Sequence, residues 1–302
     1  MSGPVVVALD VGGTGMKCAL VRPDGTVVHE ERHPTLAARG PEAVTENILE
    51  IAAGLAARAE NPIAVGIAVP GVIDEENGVA VWSSNVGFRD VPLRKLITDR
   101  LGLPATLGHD VRVGGIAEAR LGAGRGERHV LFVAIGTGIA AALVVDGVGY
   151  GGAHGAAGEV GHIVVRPGGT PCPCGSRGCL EASASARAIG LRYAELIGDP
   201  EATAFDVVSR IDQDPVAAQV WHEAIDALAD GLLTAQALYD VNVLVLGGGL
   251  AEAGDTLLEP LRAELTRRIT FHRMPRIAKA ELGDTAGCRG AALLALDHLE
   301  RD

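Results

Sequence analysis

Apolar residues fall along this chain in two rhythms, short unbroken runs and longer stretches of helical period, and the two alternate. Val5-Val-Val-Ala-Leu9 is a continuous run that predicts a buried strand. Strands are expected over 17–22 and 26–32, joined across Pro23-Asp24-Gly25, whose residues suit a turn. Pro41 opens a predicted helix reaching about residue 59, because a proline in the first turn gives up no needed N–H. A strand over 63–69 ends at Pro70-Gly71. A helix over 92–101 and a short strand over 105–107 follow, then a helix over 111–121 entered from Asp110 as N-cap.

The pattern then restarts. Residues 130–135 read as a strand, Gly136-Thr137-Gly138 as a turn, 139–145 as a strand and Asp146-Gly147 as another turn. The N-terminal VVVALDVGGTGMKCALVRPDG and the later VLFVAIGTGIAAALVVDG share this order, a weak internal repeat. Helices are expected over 182–196, 204–211 and 215–239. A strand over 241–246 runs into Gly247-Gly248-Gly249, and helices over 254–269 and 286–299 close the chain. Two similar units of strands with interleaved helices predict an α/β protein of two related halves, with a ligand cleft expected between them.

Composition narrows the partners. Of 302 residues, 48% are hydrophobic but only 3% aromatic, so the core is built from Val, Leu, Ile and Ala. A net charge of -12 argues against nucleic acid or an anionic membrane as the main partner. The longest uncharged run, 130–145, is broken by glycines and falls short of the ~20 apolar residues of a membrane span. No secretory leader is read ahead of the first strand. Of the five cysteines, Cys18 and Cys288 lie in apolar segments as core thiols, usage that fits a reducing, cytoplasmic compartment.

The densest chemistry lies in Gly158-Glu159-Val-Gly161-His162 and Cys172-Pro-Cys174-Gly-Ser-Arg-Gly-Cys179-Leu-Glu181. His162, Cys172, Cys174 and Cys179 make a closed Cys3His set for structural zinc, the alternative being buried or disulfide-bonded cysteines. Glu159 and Glu181 have the chemistry to accept hydrogen bonds from sugar hydroxyls, and a zinc-bound His162 can offer its other ring nitrogen to one, with the metal fixing their directions; support of the zinc site is a compatible second role for both glutamates. Asp10-Val-Gly12-Gly13-Thr14 follows the first strand. Its glycines let backbone N–H groups approach phosphate oxygens, Thr14 and Lys17 add a hydroxyl and a charge, and Asp10 is placed to hold Mg2+. A plain hairpin turn is the alternative. Gly136-Thr137-Gly138 repeats the device, and Gly247-Gly248-Gly249 forms a third strand-to-glycine turn suited to a nucleotide, a helix–strand packing turn being the equal alternative. Asp110, between these loops in sequence, is a candidate base for an acceptor hydroxyl; an ordinary N-cap aspartate is the competing reading.

Through these residues the chain resembles the ROK family of repressors, open reading frames and sugar kinases. The resemblance runs from Asp10-Val-Gly-Gly-Thr14 through Val69-Pro70-Gly71, the Gly158-to-His162 motif and the Cys172-to-Glu181 motif to Leu246-Gly247-Gly248-Gly249. It implies a two-domain actin-like ATPase fold, related to ribonuclease H, with a zinc-binding loop. One domain would span 1–113 plus 286–302, and a larger one carrying the zinc site 114–285. It implies ATP, Mg2+ and structural Zn2+, with Asp110 as catalytic base and Gly71, Asn85, His109, Glu159, His162 and Glu181 at the sugar. The expected reaction is transfer of the ATP γ-phosphate to a hexose, at the 6-hydroxyl and most readily of glucose. N-acetylmannosamine, N-acetylglucosamine or another hexose is the nearer alternative substrate, and a sugar-responsive regulator or sensor the more distant role. A homodimer or homotetramer is implied, with no nucleic acid or membrane partner, since no DNA-binding segment is read before Val5. The chain departs from the family pattern in two regions. His109 replaces the family's asparagine before the base, with Val111-Arg112-Val113 following in place of its small and Asn residues, and Ile139-Ala-Ala-Ala142 stands where glycines are commoner.

Overall fold

The computed structural model describes residues 3–301, and these fall into two compact units. The first takes residues 3–122, 147–157 and 282–301. Its strands are β1 (Val5–Val11), β2 (Gly15–Val21), β3 (Val27–Pro34), β4 (Pro62–Val69) and β8 (Ala105–His109), in the order β3-β2-β1-β4-β8. β1, β2 and β3 are antiparallel neighbours, whereas β4 and β8 run parallel to β1.

The unbroken apolar run in β1 is explained by burial on both faces. Val5, Val7, Leu9 and Val11 pack with Val44 and Ile48 of helix α1 (Pro41–Arg58). Val6 and Ala8 face the other way, toward Ala291, Ala292 and Ala295 of the last helix, α9 (Ala286–Leu299). Each fully buried Val or Leu contributes roughly 1.5–3 kcal/mol. α9 is rich in small residues because it lies almost on the backbone of its neighbours. A Cβ on Gly66 of β4 would sit 2.0 Å from the Ala291 carbonyl oxygen. One on Gly290 would sit 1.8 Å from that of Val113, in helix α3 (Asp110–Leu121).

A second, smaller sheet of β5 (Val72–Asp74), β6 (Val79–Trp82) and β7 (Arg89–Val91) precedes α2 (Leu93–Leu101). Sequence reading gives none of these three strands, since each has four residues or fewer. The inserted segment 147–157 adds a two-residue strand, β11 (Val148–Gly149), to the elements of this unit. The expected boundary after residue 113 lies inside α3.

The second unit takes 123–146 and 158–281. Here β9 (His129–Ile135), β10 (Ile139–Val145), β12 (Val243–Gly247) and β13 (Arg276–Lys279) pair in the order β10-β9-β12-β13. The first pair is antiparallel and the rest parallel. That is the order of β2-β1-β4-β8, so the weak sequence repeat is a repeat of topology. Its core joins β9 and β12 to α7 (Pro215–Tyr239) and α8 (Asp255–Arg268), with Tyr193 fully buried. α6 (Ala204–Arg210) flanks them. The single helix expected over 182–196 is two, α4 (Leu180–Ala184) and α5 (Ala186–Ile197). Ser185 between them has extended backbone, and its hydroxyl accepts the Ala188 N–H, so it breaks one helix by capping the next.

Candidate active site and metal centre

In the first unit the β1–β2 connection is a tight turn closed by Gly12 N–H donating to the Gly15 carbonyl at 2.9 Å. Thr35, from the end of β3, steadies it by donating its hydroxyl to the Gly12 carbonyl at 2.6 Å, and it leaves Thr14 exposed. Gly13 packs closely on one flank, where a Cβ would lie 3.3 Å from that of Asn85. Asn85, expected at the sugar, is thus placed beside the phosphate-type turn. Gly71 has φ 111, and a Cβ there would lie 2.1 Å from the Trp82 carbonyl oxygen, which accounts for its glycine structurally.

Asp10 pairs in register with Lys17 and lies against the start of α9, where a Cβ on Gly287 would come 2.2 Å from its Oδ2. Burial, and then the nearby Asp110 carboxylate, push its carboxyl up to about 6, against the pull of Lys17. Lys17 itself donates to Asp284 Oδ1 at 3.0 Å. A desolvated carboxylate with a second carboxylate close enough to raise its pKa suits a hard divalent cation such as Mg2+.

Asp110 is not the N-cap expected from sequence. His109 holds that position, with extended backbone and no capping side chain, and Asp110 is the first helical residue. Its Oδ1 accepts its neighbour Val111's N–H at 2.7 Å, and His109 Nε2 lies 3.4 Å from the same oxygen. A carboxylate held this way, with its side chain about 30% exposed, is oriented yet reachable.

In the second unit, Gly136 N–H donates to the Gly138 carbonyl at 2.9 Å and Thr137 is exposed, matching the first unit's turn. Gly248, with φ 80, lies so close to β9 that a Cβ would fall 2.5 Å from the Ile135 carbonyl oxygen. Gly249 then opens a short 3-10 turn, where a Cβ would meet no atom within 4 Å.

The four expected zinc donors converge. The ligand atoms of His162, Cys172, Cys174 and Cys179 all lie within 4.8 Å of one another. Cys172 Sγ is 3.7 Å from His162 Nδ1, and Cys174 Sγ is 3.7 Å from Cys179 Sγ. Tetrahedral zinc–thiolate bonds of ~2.3 Å would set sulfurs about 3.8 Å apart. All five cysteines are free thiols, so the disulfide alternative is not what the fold shows. Burial pushes the Cys179 thiol up to about 11, a proton that a bound cation would displace. The loop relies on Gly178, with φ 77, where a Cβ would fall 1.6 Å from the Arg166 carbonyl oxygen. Arg166 in turn donates to Asp230 Oδ2 of α7 at 2.6 Å, fixing the loop to the core.

With Nδ1 turned to the cysteines, His162 Nε2 faces Glu159 Oε2 at 3.8 Å. Glu181, in the first turn of α4, accepts the Ile139 N–H at 2.9 Å. The carboxylate two residues beyond Cys179 therefore also ends the Gly136–Gly138 turn.

A family model described as ROK family matches residues 6–298. The chain belongs to the ROK family. A glucokinase from Thermotoga maritima is 33% identical over 97% of this chain and 98% of its own. The crystal structure of a ROK hexokinase from Thermus thermophilus is 32% identical and superposes with a TM-score of 0.85, covering 99% of this chain and 100% of that one. That of a ROK family glucokinase from Streptomyces griseus, in complex with glucose and AMPPNP, is 28% identical with a TM-score of 0.83, over 97% and 99%. The actin-like ATPase fold of ROK kinases is accordingly the fold of this chain.

Two residues at this ROK site escape sequence reading. Thr35 has no motif around it, and Glu75 lies in a short turn of ordinary composition. Arg112 shows in sequence only as a departure; in the fold it is 3% exposed and paired with Glu75.

Proposed function

We propose that the chain is an ATP-dependent hexose kinase, a glucokinase that moves the γ-phosphoryl group of ATP to the 6-hydroxyl of glucose. The observation that carries this reading is Asp110. It is an oriented, reachable carboxylate at the start of α3, with Asp10 close enough to feel its charge, in a chain that resembles glucokinases along nearly its whole length. Asp110 Oδ1 is held by the Val111 N–H, leaving Oδ2 to take the hydroxyl proton as the new O–P bond forms and the bond to ADP breaks. The Gly12–Thr14 and Gly136–Gly138 turns offer N–H groups and hydroxyls to phosphate oxygens, with Lys17, Gly248 and Gly249 assigned to the same nucleotide. Mg2+ held through Asp10 would supply positive charge against the phosphates. Glu159, His162 and Glu181, with Gly71, Asn85 and His109, are assigned to sugar hydroxyls, and zinc on the Cys3His set to holding the first three. His109 is bulkier than the asparagine it replaces, so it is the residue we assign to narrowing the choice of hexose.

We place the enzyme in the cytoplasm, a compartment in which five free thiols persist. A homodimer or homotetramer is supported by large apolar side chains left in the open, Phe205, Leu238 and Phe271 among them.

The test is ADP release with Mg-ATP against glucose, mannose, allose, fructose, N-acetylglucosamine and N-acetylmannosamine. Glucose is expected to give the highest kcat/KM. Asp110→Asn is expected to lower kcat by about 10²–10⁴-fold while calorimetry still registers sugar binding. Retention of a tenth or more of the wild-type rate, roughly 1.4 kcal/mol of barrier, would remove Asp110 from the role of base.

A further inference from the structure

α3 carries the proposed base on its first residue, yet nothing on its own N-terminal turn caps it. His109 contributes no side-chain cap, and Asp110 spends one oxygen on Val111. The missing partner comes from 34 residues earlier in the chain. His109 N–H donates to Glu75 Oε1 at 3.1 Å, and the Arg112 guanidinium donates to the same oxygen through Nη1. Through Nη2, Arg112 also donates to the Gly155 carbonyl at 2.8 Å.

The surrounding backbone encloses this guanidinium. A Cβ on Gly149 would lie 2.8 Å from Arg112 Cγ, and one on Gly151 would lie 3.5 Å from its Cζ. Gly155, with φ 74, passes so close to β5 that a Cβ would fall 2.4 Å from the Ile73 carbonyl oxygen. The contacts form a closed ring from Ile73 and Glu75 through Arg112 to Gly155 and back to Ile73. Three segments of the first unit meet in it: the turn after β5, the N-terminus of α3 and the glycine-rich stretch 149–157. That stretch ends one residue before the Gly158-Glu159 motif.

A buried arginine is a poor device for stability alone, because apolar residues of similar volume do as well or better. Its merit is direction: a planar fork holds two acceptors at fixed angles. Arg112 lies two residues beyond Asp110 on a helix, so it leaves from a different side and acts through the backbone rather than by touching substrate.

We propose that Arg112 and Glu75 form a positioning couple that sets the orientation of Asp110 and anchors the glycine-rich stretch 149–157. The proposal rests on the kinase reading for its kinetic consequence but not for its structural one, and the two are tested separately. Wild type, Arg112→Met, Arg112→Lys, Glu75→Gln and the double variant Arg112→Met/Glu75→Gln are compared by steady-state kinetics and by hydrogen exchange.

Displacement of a catalytic group by about 1 Å costs on the order of 10²-fold in rate. Arg112→Met is therefore expected to lower kcat about 10- to 100-fold, with the KM for ATP changed by no more than about twofold. Arg112→Lys, which reaches Glu75 but cannot also fork to Gly155, is expected to recover part of the loss. The double variant is expected to match Arg112→Met within about twofold, since residues acting as one unit do not add. Exchange in Arg112→Met is expected to quicken at the His109 amide and across 149–157. Should that variant not fold, the near-isosteric Glu75→Gln carries the same expectations.

Wild-type kcat in the Met variant, or losses that multiply in the double variant, would overturn the couple as a kinetic device. If the wild type phosphorylates no sugar at all, the kinase reading fails by itself. Unchanged exchange at His109 and 149–157 would then still decide against the couple.

Discussion

Asp10 shows how one buried carboxylate sets a pH dependence. An unfolded chain leaves it at its ordinary value of 3.8, and the fold raises it to about 6, chiefly by desolvation. Between those values the folded protein binds a proton that the unfolded chain has released. Stability therefore falls as pH rises through that window, and above it the full cost of about 3 kcal/mol remains. Asp10→Asn should remove most of this cost, so in magnesium-free buffer it should unfold at a higher temperature than wild type near neutral pH, with the gain vanishing below about pH 4. Magnesium should stabilise wild type near neutral pH and leave Asp10→Asn unmoved; thermal unfolding with and without the ion checks both. The same residue marks how far sequence reading reaches. Asp10, Asp110 and the Cys3His set stand out in the sequence because the roles proposed for them need particular residue types close together in the chain or beside a glycine turn. Glu75 is not, since its partners His109 and Arg112 lie 34 and 37 residues away, and only tertiary packing joins them.

Among elements, α9 has the strictest demands. Its contact with α3 and β4 is set by glycines at which a Cβ would meet carbonyl oxygens at 2.0 Å or less, and backbone cannot yield as a side-chain tip can. Gly290→Ala is expected to destabilise the first unit by roughly 1–3 kcal/mol or more, measurable by urea unfolding, although alanine favours helices. Long helices and apolar strands are readable because their periodicity extends over many residues. α7 is read to its last residue, Pro215 to Tyr239. The strands β5, β6, β7 and β13 carry three or four residues each, too few for alternation to register, and are held by neighbours instead. The helix break at Ser185 is of the same kind. A serine inside an apolar-periodic run reads as helix until its hydroxyl is seen capping α5.

For the molecule as a whole, each unit encloses its own core, and the four residues proposed to hold zinc all belong to the second. Protein purified without added metal is expected to carry close to one zinc per chain. Structural zinc sites contribute about 10–16 kcal/mol of apparent binding energy in small domains. Chelation should therefore lower the calorimetric transition of the second unit and leave that of the first in place; equal shifts, or none, would argue against a structural metal there. The doubled topology is readable as a faint repeat because each copy keeps a glycine turn between its first two strands. The bond from Glu181 to the Ile139 amide has a consequence for protein engineering. Under the proposed roles a single side chain faces the acceptor sugar, sits beside a metal ligand and braces the donor's glycine turn. A library that varies position 181 to broaden sugar choice will therefore also disturb the grip on ATP, and variants with a new specificity should surface mainly when residues 136–139 are allowed to change alongside it.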